Sequence, residues 1–288
     1  MDGKYQEVWK VATFISGLCC GVGSHAGGVI FYDEPITNST ALMRTSNGDV
    51  ITQYDLHQLE EVSLIKIDLL SIEALDRIRA CLDLLTEQGY IDSNLSLKER
   101  YEQTIGVYKI ERDDPKMWQL IHEHKIESLF QMEQQSGIKG IAAVHPTTLE
   151  ELATLNSVIR LMASEKGAEQ PIDKFARFKK DIREWYKEMD SYGVTKEKQK
   201  LLEPILLESS GMCESQERFM SILQLPECGG HTLTFVDKVR KSVAKKNPAA
   251  FLELEKEFFE TAKEKKLDIN FCKYVWYGCV YLSRGYGF

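Results

Sequence analysis

The sequence has no apolar run near the ~20 residues that a membrane-spanning helix needs. Its first ten residues, MDGKYQEVWK, are polar, acidic and aromatic, so they are not expected to act as a secretory signal peptide. Its seven cysteines form no CxxC pair, and an odd count argues against a closed disulfide framework. Reduced thiols in a cytoplasmic protein, with no membrane partner, are therefore expected. There is no internal repeat and no low-complexity tract. Nor is there an excess of basic charge: 44 acidic residues outweigh 36 basic ones, for a net charge of −8. That argues mildly against nucleic-acid binding, but local basic patches decide that question rather than the net charge.

What is present falls into two parts. Residues 4–18 read as a helix that ends in the glycine-rich CCGVGSHAGGVIFYDEP. The β-branched and aromatic run Val29–Tyr32 then reads as a strand, stopped by Pro35. Asn47-Gly48 is a turn dipeptide between two strand-like pieces. The stretch EVSLIKIDLLSIEALDRI (61–78) follows. Strand side chains alternate between two faces, so Ile65, Ile67 and Leu69 share one face and Leu64, Lys66, Asp68 and Leu70 the other. An unpaired charge inside a core is costly. Either the Lys66/Asp68 face lines a polar cleft or the two form a neutral pair in the core. Ile72, Leu75, Ile78, Leu82 and Leu85 recur at helical spacing, with Ser71 placed as an N-cap, so Asp68 sits where a strand feeds a helix.

Past residue 90 the chain reads as nearly all helical. SLKERYEQTIGVYK, DPKMWQLIHEHK, TTLEELATLNSVIRLMAS and NPAAFLELEKEFFETAKEKK carry apolar residues three and four apart. DDP (113–115) and HPTT (145–148) look like helix starts. Residues 179–200 are dense in charge and read as a solvated helix. The expected fold is α+β: a small mixed sheet in residues 1–75, then a helical domain over 76–288.

Seven segments in order resemble a known family. SHAGGVIF, ITQYDLHQLEEVSLIKIDLLSIEAL, DDPKMWQLIHEHKIESLFQMEQQSGIKGI, HPTTLEELATLNSVIRL, GMCESQERFMSILQ, VDKVRKSVAKKNPAAF and the final SRGYGF are similar to consecutive motifs of the bacterial DNA polymerase III α subunit. The resemblance covers nearly the whole chain. It implies the end of a thumb and part of a palm over residues 1–75, and fingers over 76–288, truncated on their C-terminal side. By its palm motif, Asp68 is one of three Mg²⁺-binding aspartates and Lys66 its catalytic neighbour. Two Mg²⁺ ions clamp the attacking and leaving oxygens of such a nucleotidyl transfer, and they prefer hard carboxylate oxygens.

The departures from the family matter too. Its other two aspartates lie in an Asp-x-Asp motif upstream of the region matched here, so the Mg²⁺ site is expected to be incomplete in this chain. Arg160 stands without the Arg-Pro-Gly-Pro turn of the family, since the sequence reads RLMAS. The basic residue common before His25 is missing. The expected function is that of a palm–fingers fragment of a DNA-directed DNA polymerase, inactive alone, sharing DNA template-primer and dNTP with a complementary polymerase fragment. A phage or prophage copy fits so divergent a sequence. The alternative is a non-catalytic, polymerase-derived module that binds a protein or nucleic acid.

The remaining candidates each carry two readings. The glycines around His25 would let backbone approach an active centre, or His25 is a histidine satisfied in a turn; no neighbour has metal-ligand spacing. Gln131 and Glu133 lie at the fingers base by resemblance, or in a solvated helix start. Gln216 and Glu217 would position a fingers helix. Lys238, Lys241 and Lys245 share a narrow helical arc, with Val236, Val239 and Val243 opposite and Asp237 as the one interrupting acid. With Arg240, Lys246 and Arg160, this arc binds nucleotide phosphates by the resemblance, or is a solvated basic surface. The aromatic YVWYGCVYL stacks bases or forms core.

Overall fold

The computed structural model describes residues 5–18, 21–111, 114–161, 169–244 and 248–281. The chain divides into two compact units, Met1–Ile91 and Asp92–Phe288.

The first unit holds all four strands described. Its elements are α1 (Gln6–Ile15), β1 (Gly28–Phe31), β2 (Leu42–Arg44), β3 (Val50–Thr52), α2 (Leu56–Glu61), β4 (Ile65–Asp68) and α3 (Glu73–Glu87). β1 and β4 form one two-stranded ribbon and β2 and β3 another. Both ribbons are antiparallel, so the small sheet is not the mixed one expected. The β2–β3 turn forms at Asn47-Gly48, where Gly48 takes a φ of +91° and Thr45 exchanges backbone hydrogen bonds with Gly48 and Asp49. α2 opens with a capping box: the Asp55 carboxylate accepts from Gln58 N–H at 3.0 Å, and the Gln58 amide oxygen accepts from Asp55 N–H at 3.0 Å. α3 starts without a side-chain cap. Its N-cap is Ile72, not Ser71, because the chain stays extended through Ile72 before turning.

Only part of this unit is covered. Leu59, Leu64 and Leu82 are buried, whereas Leu75, Leu84 and Leu85 on α3 and every residue of α1 are exposed. Val29, Phe31, Ile65 and Ile67, on the outer face of the β1–β4 ribbon, are exposed as well.

The second unit is helical: α4 (Leu97–Thr104), α5 (Pro115–His122), α6 (Gln135–Val144), α7 (Leu149–Val158), α8 (Pro171–Lys180), α9 (Arg183–Ser191), α10 (Lys196–Leu206), α11 (Gln216–Leu223), α12 (Leu233–Ala244), α13 (Pro248–Glu264), α14 (Ile269–Lys273) and a π-helical turn over Tyr274–Val280. Caps fix several starts: Ser96 forms a capping box with Glu99, Asp114 precedes Pro115 at the head of α5, and Thr148 caps α7. The core is one cluster running from Trp118 to Val280, in which Phe175, Phe178, Trp185, Phe219, Phe258, Phe271 and Trp276 are fully buried. Each such ring contributes about 1.5–3 kcal/mol of burial. The aromatic segment at 274–280 is core: Trp185 Nε1 donates to Tyr274 Oη at 2.8 Å, and Phe258 stacks on Trp276.

Residues 179–200 are not one solvated helix. They form the end of α8, all of α9 and the start of α10, broken at Gly193 with φ +77°. Trp185 and Met189 go inward, and the charges pair outside: Arg177 with Glu169 and Glu184, Lys174 with Glu188, Lys196 with Asp190.

Candidate functional site

The antiparallel register places Gly28 opposite Asp68 and Ile30 opposite Lys66. These four positions share one face of the ribbon, and Gly28, Ile30 and Lys66 line an open cleft of about 610 Å³, with Asp68 at the strand end beyond its lining. Apolar side chains such as Ile30, Leu42, Ile51 and Leu59 line it, with His25, Thr52, Tyr54 and Lys66 supplying polar groups. Lys66 lines this cleft and Asp68 stands at its edge, so neither residue is enclosed in a core. They are paired as well: Lys66 Nζ lies 2.5 Å from Asp68 Oδ1. Lys66 is mostly covered, at 17% exposure, while Asp68 stays half open at 49%. The hydrogen bond from Lys66 holds the Asp68 carboxyl below its ordinary value, against a smaller opposing effect of burial.

His25 sits beside this pair, with Nδ1 3.8 Å from Asp68 Oδ1. The same Nδ1 accepts the Gly27 N–H at 3.2 Å, so the neutral ring carries its proton on Nε2. His25 is thus satisfied in a turn, with the acid beside it.

Gly28 makes the arrangement possible. A Cβ there would lie 2.7 Å from Lys66 Cε and 3.0 Å from His25 Nδ1. Without one, the lysine folds back over its own strand onto Asp68. Gly27 is held as closely, since its Cβ would meet the Leu69 carbonyl oxygen at 2.6 Å and its own carbonyl accepts Leu69 N–H at 2.7 Å. Sequence reasoning did not single out Gly28 as a site residue. The signal was the Gly-Gly pair entering a strand.

The other candidates belong to the helical unit. Gln131 and Glu133 lie in a tight, non-helical turn ahead of α6, not in a helix start. His124, Ser128 and Gln131 all take positive φ there, an unfavourable conformation for side-chain-bearing residues. Met132, 1% exposed, anchors the turn in the core, and Glu133 Oε1 accepts the Ser128 N–H. Buried Gln131 Oε1 has no hydrogen-bond partner among the described residues. Arg160 is half-buried just beyond α7. Gln216 is the first residue of α11, behind the Ser215 cap, and Glu217 follows it, exposed.

On α12, Val236, Val239 and Val243 are buried and Lys238 and Lys241 are exposed, as the helical arc requires. Asp237 lies 2.7 Å from Arg240 and 2.9 Å from Lys241, and these two hydrogen bonds hold its carboxyl below the ordinary value. The interrupting acid therefore draws on two of the three basic side chains described here. Lys245 and Lys246 lie outside the described residues.

The described residues contain no group of three His, Cys, Asp or Glu side chains placed to hold a metal ion. None of their helices is long and apolar enough to cross a membrane.

Comparison with known proteins follows the same division. Residues 1–71 match the bacterial DNA polymerase III alpha NTPase domain, and residues 88–266 match the bacterial DNA polymerase III alpha subunit finger domain. The chain is 35% identical over 285 residues to the probable DNA polymerase YorL of Bacillus subtilis, and equally to the DNA-directed DNA polymerase of Bacillus phage SPbeta. Each alignment covers 99% of this chain and 22% of the relative. It is 29% identical over 289 residues to DNA polymerase III subunit alpha of Campylobacter jejuni, covering 99% of this chain and 22% of that protein. The chain thus spans 22% of the length of these curated relatives. It belongs to the bacterial DNA polymerase III α subunit family.

Proposed function

We propose that the chain is a palm-and-fingers segment of a template-directed DNA polymerase, with Asp68 as one of its metal-binding carboxylates. In this reading residues 1–75 carry the end of a thumb and part of a palm, and residues 76–288 carry fingers. It acts in the cytoplasm on DNA template-primer and dNTP, together with a complementary polymerase segment. The observation that carries the reading is the placement of Asp68: a half-open carboxylate at a strand end, on the cleft face, oriented by Lys66 at 2.5 Å.

Mg²⁺ takes near-octahedral oxygen ligands, and Asp68 alone does not make such a site. The remaining carboxylates fall to the complementary segment. When bound, the ion stabilises charge on a phosphoryl group in transfer. This chain's own residues orient and bind. Lys66 orients Asp68 and offers positive charge beside the triphosphate, Gly28 keeps that corner open, and the basic face of α12 takes phosphates.

The test is complementation. The chain alone gives no primer extension. Mixed with the part of the phage SPbeta polymerase that precedes the matched region, it restores extension, and Asp68→Asn abolishes extension without preventing assembly. Normal turnover by the Asp68→Asn complex rules the carboxylate out. The uncovered apolar faces of α1 and of the β1–β4 ribbon favour a second reading, a polymerase-derived module that binds a protein. That reading predicts assembly with no extension from any mixture.

A further inference from the structure

An open groove of about 380 Å³ runs between α12 and α13. Lys238 and Lys241 line it from α12, and Glu253 and Glu257 line it from α13. The two glutamates are four residues apart on one helix, so they stand on the same side of it. All four side chains belong to exposed residues. The groove is therefore walled by positive charge on one side and negative charge on the other. Asp237 adds a third carboxylate on the lysine side, paired with Arg240 and Lys241. A helix that the sequence presents as basic is, in its folded surroundings, answered by acids.

We propose that Glu253 and Glu257 are specificity-determining residues, which make the α12 face a site for compact polyphosphate and turn away the extended backbone of DNA. The proposal rests on the reading of α12 as a phosphate-binding face. A nucleotide triphosphate or a pyrophosphate carries several negative charges within a few ångströms of one another. It can sit against the lysine wall alone, and its charge density competes well for side chains already drawn to Asp237. DNA spreads its charge along its axis, about one per 1.7 Å of duplex. A strand that reaches both lysines must lay further phosphates near Glu253 and Glu257. The Debye length at 0.1 M salt is about 10 Å, so screening does not remove that repulsion inside the groove. Like charges set face to face are how interfaces reject wrong partners.

The experiment uses the whole chain and two probes, inorganic pyrophosphate and a twelve-nucleotide oligothymidylate, each titrated at low and moderate salt. In Glu253→Gln/Glu257→Gln the oligonucleotide affinity rises about tenfold at low salt and the gain shrinks as salt is raised. Pyrophosphate affinity changes by less than about twofold, because that ligand does not lie against the acidic wall. Glu150→Gln/Glu197→Gln makes the same change in net charge at exposed positions elsewhere and leaves both affinities where they were. Single Glu257→Gln gives an intermediate oligonucleotide gain and stands in if the double variant folds poorly. An unchanged oligonucleotide affinity overturns the proposal. So does an equal rise for both anions, or an equal rise in the control pair. If the unmodified chain binds pyrophosphate but the variants do not alter DNA binding, only this proposal falls. If neither the chain nor its variants bind pyrophosphate, the phosphate reading of α12 falls with it.

Discussion

Lys66 and Asp68 stand two residues apart on β4, on the same face, with Nζ and Oδ1 2.5 Å from each other across the gap left by Gly28. Lys66 is therefore what holds the Asp68 carboxyl down. In Lys66→Met its titration moves up toward the ordinary 3.8, as followed by carboxyl-carbon NMR. The sign follows from linkage: a depressed carboxyl stabilises the fold above its unfolded pKa, and that contribution is lost as pH falls through the folded value, below 3.8. Gly28→Ala produces the same upward movement by pushing Lys66 away, with the lysine itself intact. An unmoved Asp68 titration in both variants refutes this account of the pair.

Gly211 predicts a stability effect. It takes φ +83°, and a Cβ there would lie 2.4 Å from Cγ of the fully buried Trp185. Gly211→Ala combines left-handed strain with overpacking and costs about 2–4 kcal/mol in denaturant unfolding. Trp185→Ala removes the ring instead and costs about 3–5 kcal/mol. Because the two residues touch, the double variant loses less than the sum.

The basic helix predicts a salt effect. Lys238→Gln/Lys241→Gln weakens pyrophosphate binding by the whole chain and lowers its dependence on salt. The buried Val236, Val239 and Val243 are untouched, so the melting temperature stays within the small range of surface changes. An unaltered salt dependence reduces this face to a solvated surface.

The thiols predict a reactivity pattern. Cys81 is exposed, while Cys213, Cys228, Cys272 and Cys279 are buried. Burial pushes the Cys272 thiol up to about 11, so at pH 8 it is protonated and poorly nucleophilic. Native alkylation read by mass spectrometry labels Cys81 quickly and the buried four only on unfolding. The raised value also sets an alkaline limit. The unfolded thiol ionises first, so the contribution to stability is complete below about 9 and is lost as pH climbs toward 11.

Local chemistry made much of the fold legible. Asn47-Gly48, the Asp114-Pro115 start and the Thr148 cap each act within four residues, and each formed where the sequence placed it. The valine arc of α12 was legible for the same reason, since 3.6-residue periodicity alone fixes a face. Long-range partners were not. Nothing near Lys238 in sequence announces Glu253 and Glu257, which reach its groove only because α12 and α13 pack together. The charge of residues 179–200 hid Trp185 and Met189, whose burial depends on core residues as distant as Tyr274. The stripe of Leu75 and Leu85 shows the opposite limit. Periodicity says which residues share a face, and not whether anything covers it.

The outer face of the β1–β4 ribbon bears on how long the protein lasts. Val29, Phe31, Ile65 and Ile67 form a small apolar sheet surface, and in this two-stranded ribbon each strand has an edge that its partner does not use. Open edges beside apolar side chains are templates for further strand pairing. They are also what chaperones and proteases sample when they sort finished chains from unfinished ones. The ribbon that carries Lys66 and Asp68 on one face thus presents on its other face an apolar template for strand pairing, which a charged side chain at Ile65 or Val29 would blunt.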